Sequence, residues 1–215
     1  MPKPAPSSRP DLREACLAEA LSIIEQDGVE RLSLREVARR LGVSHQAPYR
    51  HFPSRDHILA EIVARAFEGF ARHLDQHAAS GDPDADMQAM GEAYLDYAAT
   101  RPLHYRLMFA TPLPDPASHP DMTARAHHAF ELLLAALRRK AEASGAGVDA
   151  EAIRLDALFI WSSLHGLATL RSSSILAALD PDQVLSIRGG EHMLARFGSA
   201  LAQPPPAAAH GGTEP

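Results

Sequence analysis

Cysteine is almost absent from this sequence of 215 residues, since Cys16 is the only one. A disulfide within the chain is therefore excluded, and so is a zinc site built from cysteine pairs. The sequence also lacks any run of about 18 uninterrupted apolar residues, which a conventional membrane-spanning helix requires. Residues 1–10 lack the apolar stretch of a signal peptide. These absences favour a protein that works in the reducing cytoplasm.

Charge is unevenly distributed along the chain, although the net charge of −6 at pH 7 is unfavourable for a nucleic-acid binder. Six arginines and a single acidic residue, Glu36, lie between Arg31 and Arg55. After His57 the chain holds 12 of the 21 basic residues and 19 of the 27 acidic ones. A basic patch on an otherwise acidic protein indicates contact with nucleic acid. The alternative is an ordinary solvated helix face.

Apolar residues recur at spacings of three and four along almost the whole chain, which predicts an all-α fold. Glycines, prolines and serines between these segments predict where each helix begins and ends. The predicted helices span about residues 11–27, 34–40, 44–51, 54–79, 84–99, 102–110, 121–143, 149–175 and 181–201. The segments 1–10 and 203–215 are rich in proline and small residues, and we expect both to be disordered.

The segment 32–51 has the pattern of a helix-turn-helix. Ser33 followed three residues later by Glu36 is typical of a capping box that starts a helix. Gly42 can adopt the left-handed conformation that a sharp turn requires, and Ser44 is suited to cap the next helix. The second helix of such a motif lies in the major groove of DNA. The alternative interpretation is an ordinary helical hairpin.

A specific motif accompanies this pattern, namely Leu41-Gly42-Val43-Ser44 followed by Tyr49, His51 and Phe52. With it, residues 11–67 resemble the DNA-binding domain of the tetracycline-repressor (TetR) family. The resemblance implies an all-helical fold with three N-terminal helices for DNA and about six C-terminal helices for effector binding and dimerisation. On this basis we expect a DNA-binding domain at 11–57 and a ligand-binding and dimerisation domain at 58–202.

The resemblance also implies which residues contact DNA. They belong to the start of the second helix, the recognition helix and the beginning of the long fourth helix: Ser33, Arg35, Ser44, His45, Gln46, Tyr49, His51 and Arg55. A glutamine such as Gln46 can form two hydrogen bonds with adenine. Pro48 lacks a backbone N–H, so we expect it in the first turn of the recognition helix. The alternatives are that Tyr49 packs in the core and that His51 caps a helix.

The C-terminal part resembles one branch of the same family, through Trp161 followed by His165 and Gly166. Many aromatic residues with polar tips lie between residues 84 and 175, and a ligand cavity combines apolar walls with a few such anchors. The predicted effector-binding residues are Tyr97, His104, Tyr105, Phe109, Trp161 and His165. The alternative is that these side chains simply fill the core.

The last two predicted helices carry more apolar residues than one layer of a small domain needs. In the family these helices pack against the same helices of a partner, and a homodimer supplies the twofold symmetry that a palindromic operator requires. The predicted dimer contacts are Leu164, Leu167, Val184, Met193, Leu194 and Phe197.

We therefore expect a transcriptional regulator, in particular a repressor that a small organic effector releases from a palindromic operator in double-stranded DNA. We expect neither a cofactor nor a metal, and no membrane association. An alternative is a regulator that senses a metal or haem through some of the 12 histidines, with His104, His127 and His128 as candidate ligands. An enzyme is a more distant alternative, because the sequence lacks a phosphate loop, a nucleophile elbow and an ordered acid–base pair.

Overall fold

A computed structural model describes residues 11–76, 80–109, 112–145, 148–179 and 182–201. These residues form nine α-helices and three short 3-10 helices, and no β-strand occurs among them, which confirms the predicted all-α fold. The α-helices are α1 (Leu12–Asp27), α2 (Leu34–Leu41), α3 (Arg55–Asp75), α4 (Pro83–Thr100), α5 (Pro102–Phe109), α6 (Pro120–Ser144), α7 (Ala150–Arg171), α8 (Ser174–Leu179) and α9 (Val184–Leu201). The 3-10 helices are Val29–Arg31, Pro48–Arg50 and Pro116–Ser118. The predicted disordered ends, 1–10 and 203–215, lie outside the described residues.

Serine side chains fix the starts of α2 and α3. Ser33 Oγ accepts the backbone N–H of Glu36 at 3.2 Å, and Ser54 Oγ accepts that of His57 at 3.4 Å. Each contact satisfies an amide in the first helical turn that has no partner within the helix. The predicted capping box is only half formed, because the Glu36 carboxylate accepts hydrogen bonds from two arginines of its own helix.

The predicted helix over 149–175 is wrong in one respect, because two helices occupy this stretch. α7 ends at Arg171, and α8 begins at Ser174. The hydroxyls of Ser172 and Ser173 donate to the carbonyls of Thr169 and Leu170, at 2.8 and 2.7 Å. Serine side chains compete in this way with backbone hydrogen bonds, so the serine run ends the helix.

Two other helices are shorter than predicted. α3 ends at Asp75, and residues 77–79, to which the prediction extended, lie outside the described residues. α9 begins at Val184 rather than 181, directly after Gln183, whose φ of 57° is left-handed and unusual for a residue other than glycine. Residues 180–181 are not among the described residues.

The chain divides into two compact units, the first of which comprises Met1–Ala71 and Arg101–Ala129. It contains α1, α2, α5, most of α3 and the start of α6. Its interior is formed by fully buried aliphatic and sulfur-containing side chains: Cys16, Ile23, Leu32, Leu34, Val37, Ile58, Leu59, Val63, Leu107 and Met108. The predicted division at residue 57 concerns function and stays a prediction.

The second unit comprises Arg72–Thr100 and Phe130–Pro215, and in it α4, α7 and α9 pack on one another. Two glycines allow close approach of α4 and α9. A Cβ on Gly91 would overlap the Cδ2 atom of Leu194, and a Cβ on Gly190 would lie 2.9 Å from Leu95 Cδ1. Side chains of α9 therefore occupy the space that a larger residue on α4 would need.

Candidate functional site

A sharp turn at Gly42 ends α2. Gly42 has φ 66°, ψ 27°, the left-handed conformation expected from the sequence, and its N–H donates to Arg39 O at 3.2 Å. The N–H of Val43 donates to Ala38 O at 3.0 Å, which completes the turn. The chain therefore leaves α2 in a direction that local hydrogen bonds determine.

The element that follows is not the α-helix expected over residues 44–51. Residues 45–47 form a turn, in which the N–H of Ala47 donates to Ser44 O at 2.9 Å, and Pro48–Arg50 forms a single 3-10 helix. Pro48 stands at the start of this 3-10 helix and is buried, in agreement with its expected place in a first turn. Proline lacks an N–H and clashes with a preceding helical turn, which explains why no longer helix forms.

Four of the predicted DNA-contacting side chains line one open concavity of about 400 Å³. They are Arg35, His45, Gln46 and Tyr49, and all four are exposed. Arg35 comes from the first turn of α2, whereas the other three come from the turn and the 3-10 helix after it. The Tyr49 residue is 43% exposed, which argues against the alternative that it packs in the core.

The arginines between Arg31 and Arg55 differ in whether they are paired. Arg39 donates to both oxygens of Glu36, at 2.8 and 2.6 Å, and Arg40 donates to Glu36 at 3.0 Å and also pairs with Asp27. The hydrogen bonds from Arg39 and then Arg40 lower the pKa of Glu36 to about 2. Arg40 is thus held between α1 and α2.

Three other arginines of this segment, Arg31, Arg35 and Arg50, form no ion pair within the ranges that the structure describes. All three side chains are exposed. The charge of an exposed guanidinium without an ion pair is not compensated by a carboxylate, and its fork of N–H donors is available to an external phosphate. Arg35 is the one that also lines the concavity.

The remaining predicted DNA contacts lie elsewhere. Ser44 and His51 are exposed, and Ser33 is both exposed and engaged as the cap of α2. The hydroxyl of Ser33 accepts the Glu36 N–H, so its own hydrogen stays available to donate. Arg55 is half-buried and donates to the backbone carbonyls of Leu32 and Val29, a contact that the sequence did not suggest.

The predicted effector residues fall in both units. In the first unit, Tyr105 and Phe109 are in edge-on contact with ring centroids 5.1 Å apart, and Phe109 also meets Phe67 at 5.7 Å. His104 is half-buried, and burial, with a contribution from the charge of Arg101, lowers its pKa. Tyr105 and Phe109 therefore belong to an aromatic cluster.

In the second unit, His165 and Trp161 each contact an aromatic residue. The Nδ1 atom of His165 lies 3.4 Å from the Tyr94 hydroxyl, and Trp161 contacts Phe130 with ring centroids 5.6 Å apart. Burial lowers the pKa of His165, which favours the neutral imidazole.

Tyr97, also in the second unit, is buried and contacts the ring of His73 at 5.5 Å. Tyr94 and His73 were not among the predicted effector residues. The helical spacing of three residues from Tyr94 to Tyr97 was the available signal for Tyr94.

The predicted dimer contacts differ in exposure. Leu164, Leu194 and Phe197 are buried within the chain itself, and Phe197 packs on Phe159 with ring centroids 5.5 Å apart. Val184 is 51% exposed. Large apolar residues outside the predicted set are exposed on the same helices: Leu155, Leu158, Phe159 and Leu170 on α7, and Leu185 and Ile187 on α9. We refer to these six residues with Val184 as the exposed apolar face.

The described residues were compared with what a membrane-spanning helix and a metal site require. None of the described helices combines the length and the apolar character that crossing a membrane requires. Within the described ranges, His, Cys, Asp and Glu side chains nowhere gather in a group of three or more that would suit a metal ion.

Comparison with known proteins gives matches in both the N-terminal and the C-terminal part of the chain. Residues 17–62 match the family model "Bacterial regulatory proteins, tetR family", and residues 87–188 match the model "Tetracyclin repressor-like, C-terminal domain". Over 201 residues the chain is 26% identical to an HTH-type transcriptional regulator of Mycobacterium tuberculosis, covering 94% of this chain and 85% of the relative.

Two solved structures extend the comparison to the fold. A protein of unknown function from Rhodococcus is 30% identical with a TM-score of 0.74, and the match covers 93% of this chain and all of the other. The TetR family transcriptional regulator PfmR from Thermus thermophilus is 23% identical with a TM-score of 0.60, covering 87% of this chain and 97% of that one. The second likeness concerns the fold alone.

Proposed function

Because the chain belongs to the TetR family of bacterial transcriptional regulators, we propose that it is a repressor that binds a palindromic operator as a homodimer and that a small organic molecule releases it. The observation that carries the proposal is the concavity in which an unpaired arginine, Arg35, stands beside His45, Gln46 and Tyr49. This set combines one cation with three hydrogen-bonding side chains on an exposed surface of the helix-turn-helix.

In the proposed complex the two kinds of side chain have different roles. Gln46 and His45 contact base edges in the major groove, since an amide can pair with adenine and an imidazole can donate to an acceptor. Arg35 and Tyr49 bind phosphates, which fix the register of the protein without reading sequence. Ser33, Ser44 and His51, which are exposed on the same segment, add phosphate or groove contacts.

The exposed apolar face supports the proposed homodimer. Its residues lie on α7 and α9, which pack on each other in the second unit. Leu158 and Ile187 are 54% and 70% exposed, and a monomer gains nothing from keeping such side chains in water. A second copy of the chain that brings the same two helices would bury them in a twofold interface.

The second unit supplies the proposed effector-binding residues. Trp161, His165 and Tyr97 combine apolar ring surface with hydrogen-bonding atoms, and the lowered pKa of His165 favours its neutral form. Neutral imidazole and phenol groups suit an uncharged hydroxyl or carbonyl group on an otherwise apolar molecule. Release follows only if this molecule binds the low-affinity conformation of the dimer more tightly.

Selection from a random-sequence duplex library tests the DNA-binding proposal, because no operator needs to be known beforehand. We expect the purified protein to enrich one palindromic sequence and to sediment as a dimer. Arg35→Ala should reduce enrichment, whereas Arg72→Ala, which replaces an exposed arginine at the far end of α3, should not. Failure of the parent protein to enrich any duplex would contradict the proposal.

The effector proposal has its own test, since Trp161 is the only tryptophan of the chain and contacts Phe130. A library of small organic molecules is screened for a change in tryptophan fluorescence, and active compounds are then tested for release of the selected duplex. We expect His165→Ala to weaken the affinity for an active compound, measured by fluorescence titration, by about tenfold, as for loss of an anchoring hydrogen bond. His128→Ala, an exposed residue of α6, is the matched control.

A further inference from the structure

Arg55, the first residue of α3, binds backbone carbonyls of the segment that joins α1 to α2. Its Nε atom donates to Leu32 O at 3.2 Å, and its Nη2 atom donates to Val29 O at 3.0 Å. The third nitrogen, Nη1, donates to the Asp56 carboxylate at 3.2 Å. The guanidinium therefore spans two residues that are more than twenty positions earlier in the chain.

The two carbonyls lie directly before the start of α2. Val29–Arg31 is a single 3-10 turn, and Leu32 follows it in an extended conformation with φ −64° and ψ 122°. The next residue, Ser33, is the N-cap of α2. The Leu32 side chain is 2% exposed, so the chain is fixed at this point on one side by the core and on the other by Arg55.

This arrangement bears on DNA binding because α2 is short. Arg35 lies in the first turn of this helix, two residues after the Ser33 cap and three residues after Leu32. A change in the direction in which Leu32 enters the helix moves Arg35 relative to His45, Gln46 and Tyr49 in the concavity. Recognition side chains lose effect when they are displaced by a fraction of an ångström from productive geometry.

We propose that Arg55 is a positioning residue for DNA binding, which holds the entry to α2 so that Arg35 faces the phosphate backbone, and that it makes no phosphate contact of its own. The proposal rests on the proposed function. It also replaces the role of phosphate contact that the sequence resemblance implied for this residue. Three of the five N–H groups, one on each guanidinium nitrogen, already donate to carbonyl and carboxylate oxygens.

Two substitutions separate positioning from phosphate contact. Arg55→Lys keeps the positive charge but replaces the planar fork by a single ammonium, which cannot span both carbonyls in the same way. Arg55→Gln removes the charge. Binding of both variants to the duplex selected by the parent protein is measured over a series of salt concentrations, with Arg35→Ala and Arg72→Gln alongside.

If Arg55 is a positioning residue, both variants lose affinity by about tenfold or more, the effect of one lost charge-assisted hydrogen bond. Because the displaced Arg35 loses its phosphate, the slope of log affinity against log salt falls in both by about as much as in Arg35→Ala. In the Arg35→Ala background, neither substitution of Arg55 lowers the affinity or the slope further, since the contact through which Arg55 acts is already absent. Arg35→Ala lowers this slope by about one unit, as one phosphate contact should. Arg72→Gln leaves both affinity and slope unchanged.

Either of two results overturns the proposal: parental affinity in Arg55→Lys, or a further loss of affinity and of about one unit of slope when Arg55→Gln is added to Arg35→Ala. If a variant does not fold, the parent protein itself provides the test by NMR. The Arg55 Nε–H signal should stay protected from exchange with water, both free and bound to the duplex, and should couple to the Leu32 carbonyl. Coupling to phosphorus overturns the proposal. Absence of any selected duplex contradicts the proposed function instead.

Discussion

The basic segment from Arg31 to Arg55 and the apolar helices α7 and α9 can be compared in one respect, namely which of their residues remain exposed and available to a partner. In the basic segment, composition identifies the surface, and the structure separates paired from unpaired arginines. In α7 and α9, composition identifies helices with too many apolar residues, and the structure separates buried from exposed ones. In both regions, residue type indicates a surface, whereas contacts within the folded chain determine which residues remain exposed and unpaired.

The two regions differ in how local those selecting contacts are. Arg39 and Arg40 find Glu36 within one turn of the same helix. Leu194 and Phe197 are covered by α4 and α7, more than thirty residues away along the chain. Short-range pairing is readable from sequence spacing, but the burial of one helix face depends on which elements pack against it.

The largest expected effect concerns the exposed apolar face. Leu158→Glu places a charge on a side chain that is 54% exposed in the single chain and is proposed to be buried in the dimer. A charge without a partner in an apolar interface costs several kcal/mol, so the dimer should weaken by about a hundredfold or more while each chain keeps its helices. Sedimentation equilibrium and circular dichroism measure the two properties.

The matched control is Leu113→Glu, which charges an exposed leucine of the first unit, 40% exposed and outside the apolar face. This control should stay a dimer. A dimer of unchanged affinity in Leu158→Glu would show that α7 does not form the interface.

The second prediction concerns the close approach of α4 and α9. Gly91→Ala introduces a Cβ that overlaps Leu194 Cδ2, so Leu194 must leave its position. Overpacking of this kind destabilises by about 1–3 kcal/mol. Denaturant unfolding should show a lower free energy of unfolding. When Leu194→Ala is already present, Gly91→Ala should lower the free energy of unfolding much less than it does in the parent protein.

Gly198→Ala on α9 is the control, because among the described residues no atom outside its chain neighbours and its own helix backbone lies within 4 Å of the position that its Cβ would take, and the helix gains from alanine. It should be neutral or slightly stabilising. Additive losses in the Gly91→Ala, Leu194→Ala double variant would argue that the two residues are not in contact.

The third prediction sharpens the difference between free and paired arginines in the basic segment. Arg35→Ala should weaken binding to the selected duplex by about tenfold and lower the salt slope by about one unit. Arg39→Ala removes an arginine whose guanidinium is held by Glu36, so its effect on the slope should be smaller. Equal slopes in the two variants would contradict the proposal that pairing with Glu36 makes Arg39 less available to a phosphate than Arg35.

The smallest expected effect is a dependence of stability on pH. The pKa of Glu36 is about 2 in the folded protein, below its ordinary value of 4.5, because Arg39 and Arg40 donate to the carboxylate. A lowered folded pKa means that this contribution is fully present above about pH 4.5 and is lost as pH falls towards 2. The contribution is small, because water screens this exposed cluster.

Thermal unfolding of the parent protein and Glu36→Gln between pH 2 and 6 measures the effect. The difference between their midpoints should be largest near pH 6 and should shrink as the pH falls. Glu30→Gln, which removes an exposed carboxylate without an ion pair in the described part of the chain, is the control. A difference that does not change with pH would contradict the assigned role of Glu36.

Sequence spacing was sufficient for the features that neighbouring residues decide. The turn at Gly42 and the cap at Ser33 were predicted and are present, because each depends on atoms within about one helical turn. The same kind of reasoning was wrong for the recognition helix. Pro48 was expected in a first turn, but the consequence, a 3-10 helix with a preceding turn instead of an α-helix, was not drawn.

By itself, the sequence determined the all-helical fold, the family and the surface that is proposed to meet DNA, because periodicity, caps and a short motif are local properties of the chain. Only the tertiary structure decided that Arg55 binds the carbonyls of Val29 and Leu32, and that Leu194 is buried whereas Ile187 is exposed. The physical reason is that a guanidinium or an apolar side chain is chemically the same in either role. Which role it has depends on the atoms that distant parts of the chain bring beside it.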